Sequence, residues 1–383
     1  MSPVIGIVAG EASGDLLGAH LIQALKPHLP HARFVGVGGP RMRATGMDAL
    51  FPMEKLAVRG YVEVLRHFRE ILGIRRRLAA HFLQHPPACF IGIDAPDFNL
   101  GLERRLKQAG IPTVQYVSPQ IWAWRSDRLA KIGRAVDKML TVFPFEAPLY
   151  EAARIPVAYV GHPLADMLGD FPRQQAAREQ LRLPYSARIV ALLPGSRVTE
   201  LEQMADLFVA TAMEIASVDR EVQFLAPMVS SETRALFEAA LYRHGSPPLN
   251  LVMLFGHAHE AMAAADVVLV SSGTATLEAA LLKRPMVITY RMPRLSWWIM
   301  KHGFKQPYVG LPNILLGEYV VPEFLQEDAT PENLAQAVLN LMSDAAVRAR
   351  IEARFIRLLA ELKQNTAQKV AQALLPMLNG RLA

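Results

Sequence analysis

Asp266–Pro285, DVVLVSSGTATLEAALLKRP, is the stretch on which the reading of this chain turns. Val267 to Val270 is a short, valine-rich apolar run, the pattern of a buried parallel strand. It breaks at Ser271-Ser272-Gly273-Thr274, and a helical pattern runs on through Leu281 until Lys283-Arg284-Pro285 stops it. A strand, a turn of small residues and a helix start leave unpaired backbone N–H groups facing one spot. The positive end of the helix dipole points there too, which makes a seat for a diphosphate. Glu278 lies about one turn into the helix. A capping box would need Ser or Thr where the chain has Ala275, so the carboxylate is expected to be free to accept from two sugar hydroxyls. The alternative is an ordinary strand–helix unit whose Ser/Thr cluster only starts a helix.

A second turn repeats the design. Leu192-Leu193-Pro194-Gly195-Ser196-Arg197 ends an apolar run from Ile189, and Thr199-x-x-Glu202 reads as the capping box of the next helix. One turn brings a guanidinium and the other a dipole and a carboxylate, enough to grip both ends of a nucleotide diphosphate. Working outward, short strands read at 4–8, 33–37, 89–93, 113–117, 139–142 and 158–160. Helices separate them, starting near Leu16, Leu100, Ser126 and Phe145, and an arginine-rich helical region spans Lys55 to Phe82. A second series reads at 188–193, 222–226, 250–254, 267–270 and 286–290, and the chain is helical after Thr330. This alternation predicts an α/β fold of two doubly wound, Rossmann-like domains facing across a cleft. The boundaries are 1–164 and 165–364, with the C-terminal helix of 365–383 packing back on the first domain.

Composition narrows the function classes. The chain has 383 residues, 51% of them apolar and 20% charged, so it can fill two cores and is not disordered. The single cysteine, Cys89, lies in an apolar run and reads as a buried structural thiol; neither a disulfide nor a zinc cluster is supported. There is neither a signal-peptide pattern at Met1-Ser2-Pro3 nor an apolar run long enough to span a membrane, so a cytoplasmic protein is expected. A net charge of +6 and a pI near 9.5 imply an anionic partner: a phosphate-bearing substrate, an acidic membrane surface or nucleic acid.

Motifs then decide between chemistries. Gly6, Gly10 and Gly14 are four apart, and Glu11 and Asp15 beside them would repel a pyrophosphate, which argues against a nicotinamide site. No Gly-Lys pair exists, so a P-loop is absent. Ser13 or Asp15 reads equally well as an N-cap; Glu11 does not. Gly92-Ile93-Asp94-Ala95-Pro96-Asp97-Phe98-Asn99 ends a strand with two carboxylates. One near Phe98 and Ile93 is a candidate general base, whereas Asp97 could equally cap a helix beginning near Asn99. Gln115 to Arg125, QYVSPQIWAWR, puts two indoles on a loop, where they stack on a ligand or pack on the sheet. Two basic–aromatic stretches, Lys55–Arg77 with Arg69 and Arg291–Lys305 with Trp297, Trp298 and Met300, read as contacts for an anionic bilayer or as ordinary amphipathic helices. No nucleic-acid-binding signature accompanies the charge. His257 and His259 lack ligand partners at metal spacing and read as loop residues.

In order along the chain, AGEASGD (9–15), GVGGPRM (36–42), IDAPDFN (93–99), YVSPQIWAWR (116–125), GHPL (161–164), LLPGSR (192–197), SSGTATLEA (271–279) and LPNIL (311–315) resemble the lipid-A-disaccharide synthase family over nearly the whole length. The resemblance implies an inverting glycosyltransferase of the two-domain B-type fold, acting without a metal or other cofactor. It would join UDP-2,3-diacylglucosamine to 2,3-diacylglucosamine 1-phosphate, giving the β-1,6-linked disaccharide 1-phosphate and UDP, at the cytoplasmic face of an anionic inner membrane. It implies that Glu278 holds the ribose, Ser272, Gly273 and Thr274 the phosphates, and Ser196 and Arg197 the diphosphate or uridine side. Glu11, Asp97, Gln120 and Asn313 would line the reaction centre, with Asp97 as base and Asp94 as its alternative. Oligomeric state stays open, a homodimer included. The competing readings are another UDP-hexosamine enzyme of the same fold, such as a 2-epimerase, and a peripheral lipid-binding protein without turnover.

Overall fold

The structure, a computed structural model, describes residues 3–56, 61–119, 121, 128–293, 297 and 306–379, and of residues 12, 54, 61–68 and 379 the backbone alone. The chain divides into two compact units, Met1–Asp166 with Leu362–Ala383, and Met167–Glu361. In the first, β1 (Val4–Ala9), β2 (Arg33–Gly38), β3 (Asp48–Pro52), β4 (Cys89–Ile93), β5 (Thr113–Tyr116), β6 (Lys138–Thr141) and β7 (Val157–Tyr159) form one parallel sheet. Its order is β3-β2-β1-β4-β5-β6-β7. In the second, β8 (Ile189–Leu193), β9 (Gln223–Met228), β10 (Leu251–Phe255), β11 (Val267–Ser271), β12 (Met286–Tyr290) and β13 (Glu323–Leu325) pair in the order β10-β9-β8-β11-β12-β13. Both are doubly wound parallel sheets with helices between the strands.

The central strands β4, β8 and β11 are buried at every position, because helices cover both faces of a parallel sheet. Cys89 is among them as a fully buried thiol that forms no disulfide. The Tyr61–Gln84 helix puts Ile74, Leu78, Ala79 and Phe82 into the core of the first unit against Phe90, Phe98 and Leu102. Arg69, Arg76 and Arg77 lie outside that seam, and the Arg77 guanidinium stands 5.1 Å from the centre of the Phe51 ring. Over this half it is an amphipathic helix with a solvated basic face.

The chain returns to the first unit through the Thr366–Asn379 helix, which packs on the Ala12–Leu25 helix and buries Val370, Leu374 and Leu378. Its N-terminus is held by Asp166, whose carboxylate accepts from Asn365 N–H at 3.1 Å and Thr366 N–H at 2.6 Å. The GHPL stretch serves the same closure: His162 N–H donates to Leu362 O at 3.0 Å. Burial drives the His162 imidazole down to about 4, so it is neutral at physiological pH, and its Nδ1 accepts from Leu164 N–H at 3.2 Å.

Two helices begin one turn earlier than their sequence suggests. The first runs Ala12–Leu25, so neither Ser13 nor Asp15 is its N-cap; Glu11 stands there without a side-chain capping bond. Asp15 instead caps a different helix. Its buried carboxylate accepts from the backbone N–H groups of Gly39 at 2.8 Å, Arg41 at 3.0 Å and Met42 at 3.0 Å, closing the start of the Pro40–Ala44 helix. Asp15→Ala is therefore expected to cost about 2–3 kcal/mol in urea denaturation, since it strands helix-start donors in the interior. Asp15→Asn keeps one accepting oxygen and loses less. A change no larger than that of a surface substitution would mean the three contacts carry no stability.

Candidate functional site

Each sheet reverses its order at one place, between β1 and β4 in the first unit and between β8 and β11 in the second. Connections from adjacent strands leave there toward opposite faces, opening a crevice at the strand C-termini. The four turns singled out in the sequence follow these four strands.

In the second unit, β11 runs into Ser272, whose N–H donates to Thr289 O on β12 at 3.0 Å. Gly273 has φ +156° and ψ −162°, a conformation that favours glycine, and a Cβ there would meet nothing within 4 Å. The Thr274–Leu281 helix starts on it; Thr276 donates to Gly273 O from both N–H, at 3.1 Å, and Oγ1, at 2.7 Å. The N–H groups of Gly273, Thr274 and Ala275 have no partner among the described residues. Gly273 and Thr274 are exposed, so this is an open, positively polarised helix start.

The turn after β8 differs from its expected capping. The helix spans Val198–Val218, and Glu200, rather than a Thr199–Glu202 box, closes it. Glu200 Oε2 accepts from Ser196 N–H at 2.9 Å and Arg197 N–H at 3.3 Å, and its Oε1 pairs with the Arg197 guanidinium. The helix starts one residue before Thr199, which places Glu200 at the third position. Arg197 stays half exposed. Tyr290, at the end of β12, belongs to the same corner: burial and Glu200 push its phenol up, and Arg197 opposes them.

Glu278 is not free. His259 Nε2 lies 3.1 Å from its Oε2, and His259 sits in the Ala258–Ala264 helix rather than in a loop. The Glu278 hydrogen bond raises the imidazole above its ordinary value, against partial burial, with Glu260 adding to the rise. Phe171 meets the ring edge-on at 5.9 Å. Neither His259 nor Tyr290 carries a sequence signal, because each acquires its partner through packing between elements.

Asn313, expected at the reaction centre, lies in the second unit. It is fully buried in the Leu311–Leu316 helix. Its Nδ2 donates to Val321 O at 2.8 Å and Glu323 Oε1 at 2.7 Å, and its Oδ1 accepts from Val320 N–H at 2.9 Å and Val321 N–H at 3.1 Å. These four hydrogen bonds lie inside the second unit and tie the LPNIL segment to Glu323.

In the first unit Gly10 makes the crevice possible: a Cβ on it would lie 2.8 Å from the Cβ of Ala95, so the turns after β1 and β4 touch there. Glu11 is at that turn, partly buried. Asp94 and Ala95 both have left-handed φ, +51° and +41°. The following helix is Pro96–Gln108 with Ala95 at its N-cap, which removes Asp97 from the capping position assigned near Asn99. The two carboxylates differ in environment. Asp97 is 86% exposed and lies 3.5 Å from the Arg128 guanidinium. Asp94 is enclosed, and desolvation raises its carboxyl above the ordinary range, with a hydrogen bond from Ala95 N–H opposing.

Glu11 and Asp97 are thus in the first unit and Ser196, Arg197, Ser272, Gly273, Thr274, Glu278 and Asn313 in the second. Gln120, Trp298 and Met300 lie outside the described residues. Trp297 is partly buried and Arg69 is exposed. No helix among the described residues is long and apolar enough to cross a membrane.

Two doubly wound units, each with its chemistry-bearing turns at the reversal of strand order, define the architecture of B-type glycosyltransferases. CalG4, the calicheamicin glycosyltransferase, shares that fold with a TM-score of 0.63 at 17% identity over 100% of both chains. The chain belongs to the lipid-A-disaccharide synthase family: the family model described as lipid-A-disaccharide synthetase matches residues 5–376. The lipid-A-disaccharide synthase of Methylobacillus flagellatus is 57% identical over 97% of this chain and 99% of its own. That of Dechloromonas aromatica is 54% identical over 98% of each.

The His259–Glu278 pair gives a signed pH dependence. A histidine whose folded-state value is raised contributes stability that is complete below its unfolded value, about 6.5. That contribution is lost as pH rises through the folded value. The gap in thermal midpoint between the parent and His259→Ala should therefore be widest near pH 6 and close toward pH 9. A gap that does not vary with pH would show that the charged pair contributes nothing.

Proposed function

We propose that this chain is the inverting glycosyltransferase its family name describes, joining UDP-2,3-diacylglucosamine to 2,3-diacylglucosamine 1-phosphate. The products are the β-1,6-linked disaccharide 1-phosphate and UDP. The observation that carries the reading is family membership over nearly the full length, with both strand-order reversals bearing groups suited to the reaction. The nucleotide belongs to the second unit. Its diphosphate would take the free N–H groups at Gly273 and Thr274, aided by Ser272. Arg197, with Ser196 beside it, would exchange Glu200 for the departing phosphate charge. Glu278 would accept from the ribose hydroxyls with His259 holding its far oxygen.

The acceptor belongs to the first unit, where Glu11 and Gln120 line the reaction centre. The acceptor hydroxyl attacks the anomeric carbon, and its proton passes to a carboxylate as the carbon–oxygen bond forms. The bond to the diphosphate breaks on the opposite side, and UDP leaves with the electron pair. We assign the base to Asp94 rather than Asp97. An enclosed carboxyl with a raised pKa is closer in basicity to its task at neutral pH, whereas the exposed Asp97, near Arg128, lacks that enclosure. Both substrates are diacylated, so the enzyme would work at an anionic inner-membrane surface, reached through Arg69 and the Trp297-Trp298-Ile299-Met300 stretch.

Two variants separate the roles. Asp94→Asn should lower turnover by about 10²–10⁴ and leave UDP affinity at the parent's value. Glu278→Ala should weaken UDP binding, measured by calorimetry, by about 1.5–3 kcal/mol. Normal turnover in Asp94→Asn with loss in Asp97→Asn would return the base to Asp97. Unchanged UDP affinity in Glu278→Ala would put the ribose elsewhere.

A further inference from the structure

Beneath the Asp94–Ala95 turn, the first unit buries three polar side chains whose donors and acceptors do not balance. Asn99, Glu103 and Gln115 are each fully buried. Both amide NH2 groups are spent on backbone. Asn99 Nδ2 donates to Asp94 O at 2.9 Å and reaches Val8 O and Ile93 O at 3.4 Å. Gln115 Nε2 donates to Asp94 O at 3.0 Å and more loosely to Val117 O at 3.3 Å. Two side chains therefore hold the carbonyl of Asp94, the residue whose left-handed φ starts the turn. On the inner side, four oxygens lack a well-formed hydrogen bond among the described residues: Asn99 Oδ1, Gln115 Oε1 and both oxygens of Glu103.

Two of these oxygens flank Gly92. The point where a Cβ would stand on Gly92 is 2.3 Å from Glu103 Oε1 and 2.8 Å from Gln115 Oε1, with the Cβ of Asn99 at 2.9 Å. Turning an amide over does not help, because its oxygen would then face the Asp94 carbonyl. A carboxylate at Glu103 would set a buried charge near the Gln115 amide oxygen, a repulsive neighbour. A carboxylic acid supplies the one O–H the cluster lacks.

We propose that Glu103 is a neutral carboxylic acid that donates to Gln115 Oε1, locking the amides that fix the Asp94 carbonyl, and is a positioning residue for Asp94. Burial drives its carboxyl well above the ordinary range, against the Gly92 backbone N–H, which favours the charged form. Charged groups on the surrounding elements are engaged or exposed. Lys107 pairs with Asp137, Arg128 with Asp97, and Arg75 lies against Gly101 and the Asp97 carbonyl. Arg104, Arg105, Lys131 and Arg134 are exposed. The remaining titratable neighbours on the sheet are Cys89 and Tyr116, both buried, and Asp94 itself.

The positioning role rests on Asp94 being the base; the neutral state of Glu103 does not. The test compares the full-length parent with Glu103→Gln and Glu103→Leu. Glutamine offers an N–H where the acid offers its O–H, so Glu103→Gln should keep the parent's kcat. Glu103→Leu should lose about 10–100-fold in kcat at unchanged UDP affinity. The sign of the pH effect is fixed: above the ordinary value of 4.5 the unfolded chain releases a proton that the folded chain keeps. The parent's unfolding constant should then rise with pH relative to that of Glu103→Gln, which gains stability over the parent as pH increases above that value. A Glu103→Gln protein that fails to fold, or is less stable than the parent at pH 8.5, overturns the proposal. It would mean that the carboxyl is ionised and satisfied by water or a cation. Normal turnover in Asp94→Asn would instead defeat the base assignment, with the stability slope still deciding the state of Glu103.

Discussion

A right-twisted strand feeding a helix can return to a parallel sheet with only one handedness. From that constraint the arrangement of both units follows. Each chain segment lays down strands outward in one direction, then crosses to the far side of its first strand and continues the other way. At the reversal two neighbouring turns diverge, and nothing in the sheet fills the space above them. Gly10 against Ala95 in the first unit and the exposed Gly273–Thr274 start in the second are local consequences of that geometry.

The two reversals carry opposite electrostatics. In the second unit the turns offer N–H groups without a partner among the described residues and the half-exposed Arg197, a positively polarised corner. In the first, the turns after β1 and β4 carry the carboxylates of Glu11, Asp94 and Asp97. Burial separates the carboxylates there. The polar interior behind Asp94 fixes the backbone that aims it, whereas Asp97 stands in water on the first helical turn.

Much of this is legible in the sequence because it depends on local pattern. The buried strands read as short apolar runs, and the four turns read as small, polar breaks after them. What escapes has a physical cause in each case. β3 and β13 are edge strands, only partly buried, so neither shows a continuous apolar run. The helices at Ala12 and Pro96 start without a capping side chain, which hides their first turn. Glu200, Asp15 and Asn313 reach their partners through turn geometry or across elements, and the same holds for His259 on Glu278. Family motifs point to these positions without distinguishing a residue that touches substrate from one that holds a turn in place, as Asp15 does.

The central claim is that one enzyme binds a UDP-sugar through its second unit and transfers the sugar to a lipid acceptor activated in its first. The most direct measurement is release of UDP from UDP-2,3-diacylglucosamine, with and without 2,3-diacylglucosamine 1-phosphate. The account predicts release that depends on the acceptor, matched mole for mole by the disaccharide 1-phosphate. Release without acceptor, or tight donor binding with no release in its presence, would contradict it.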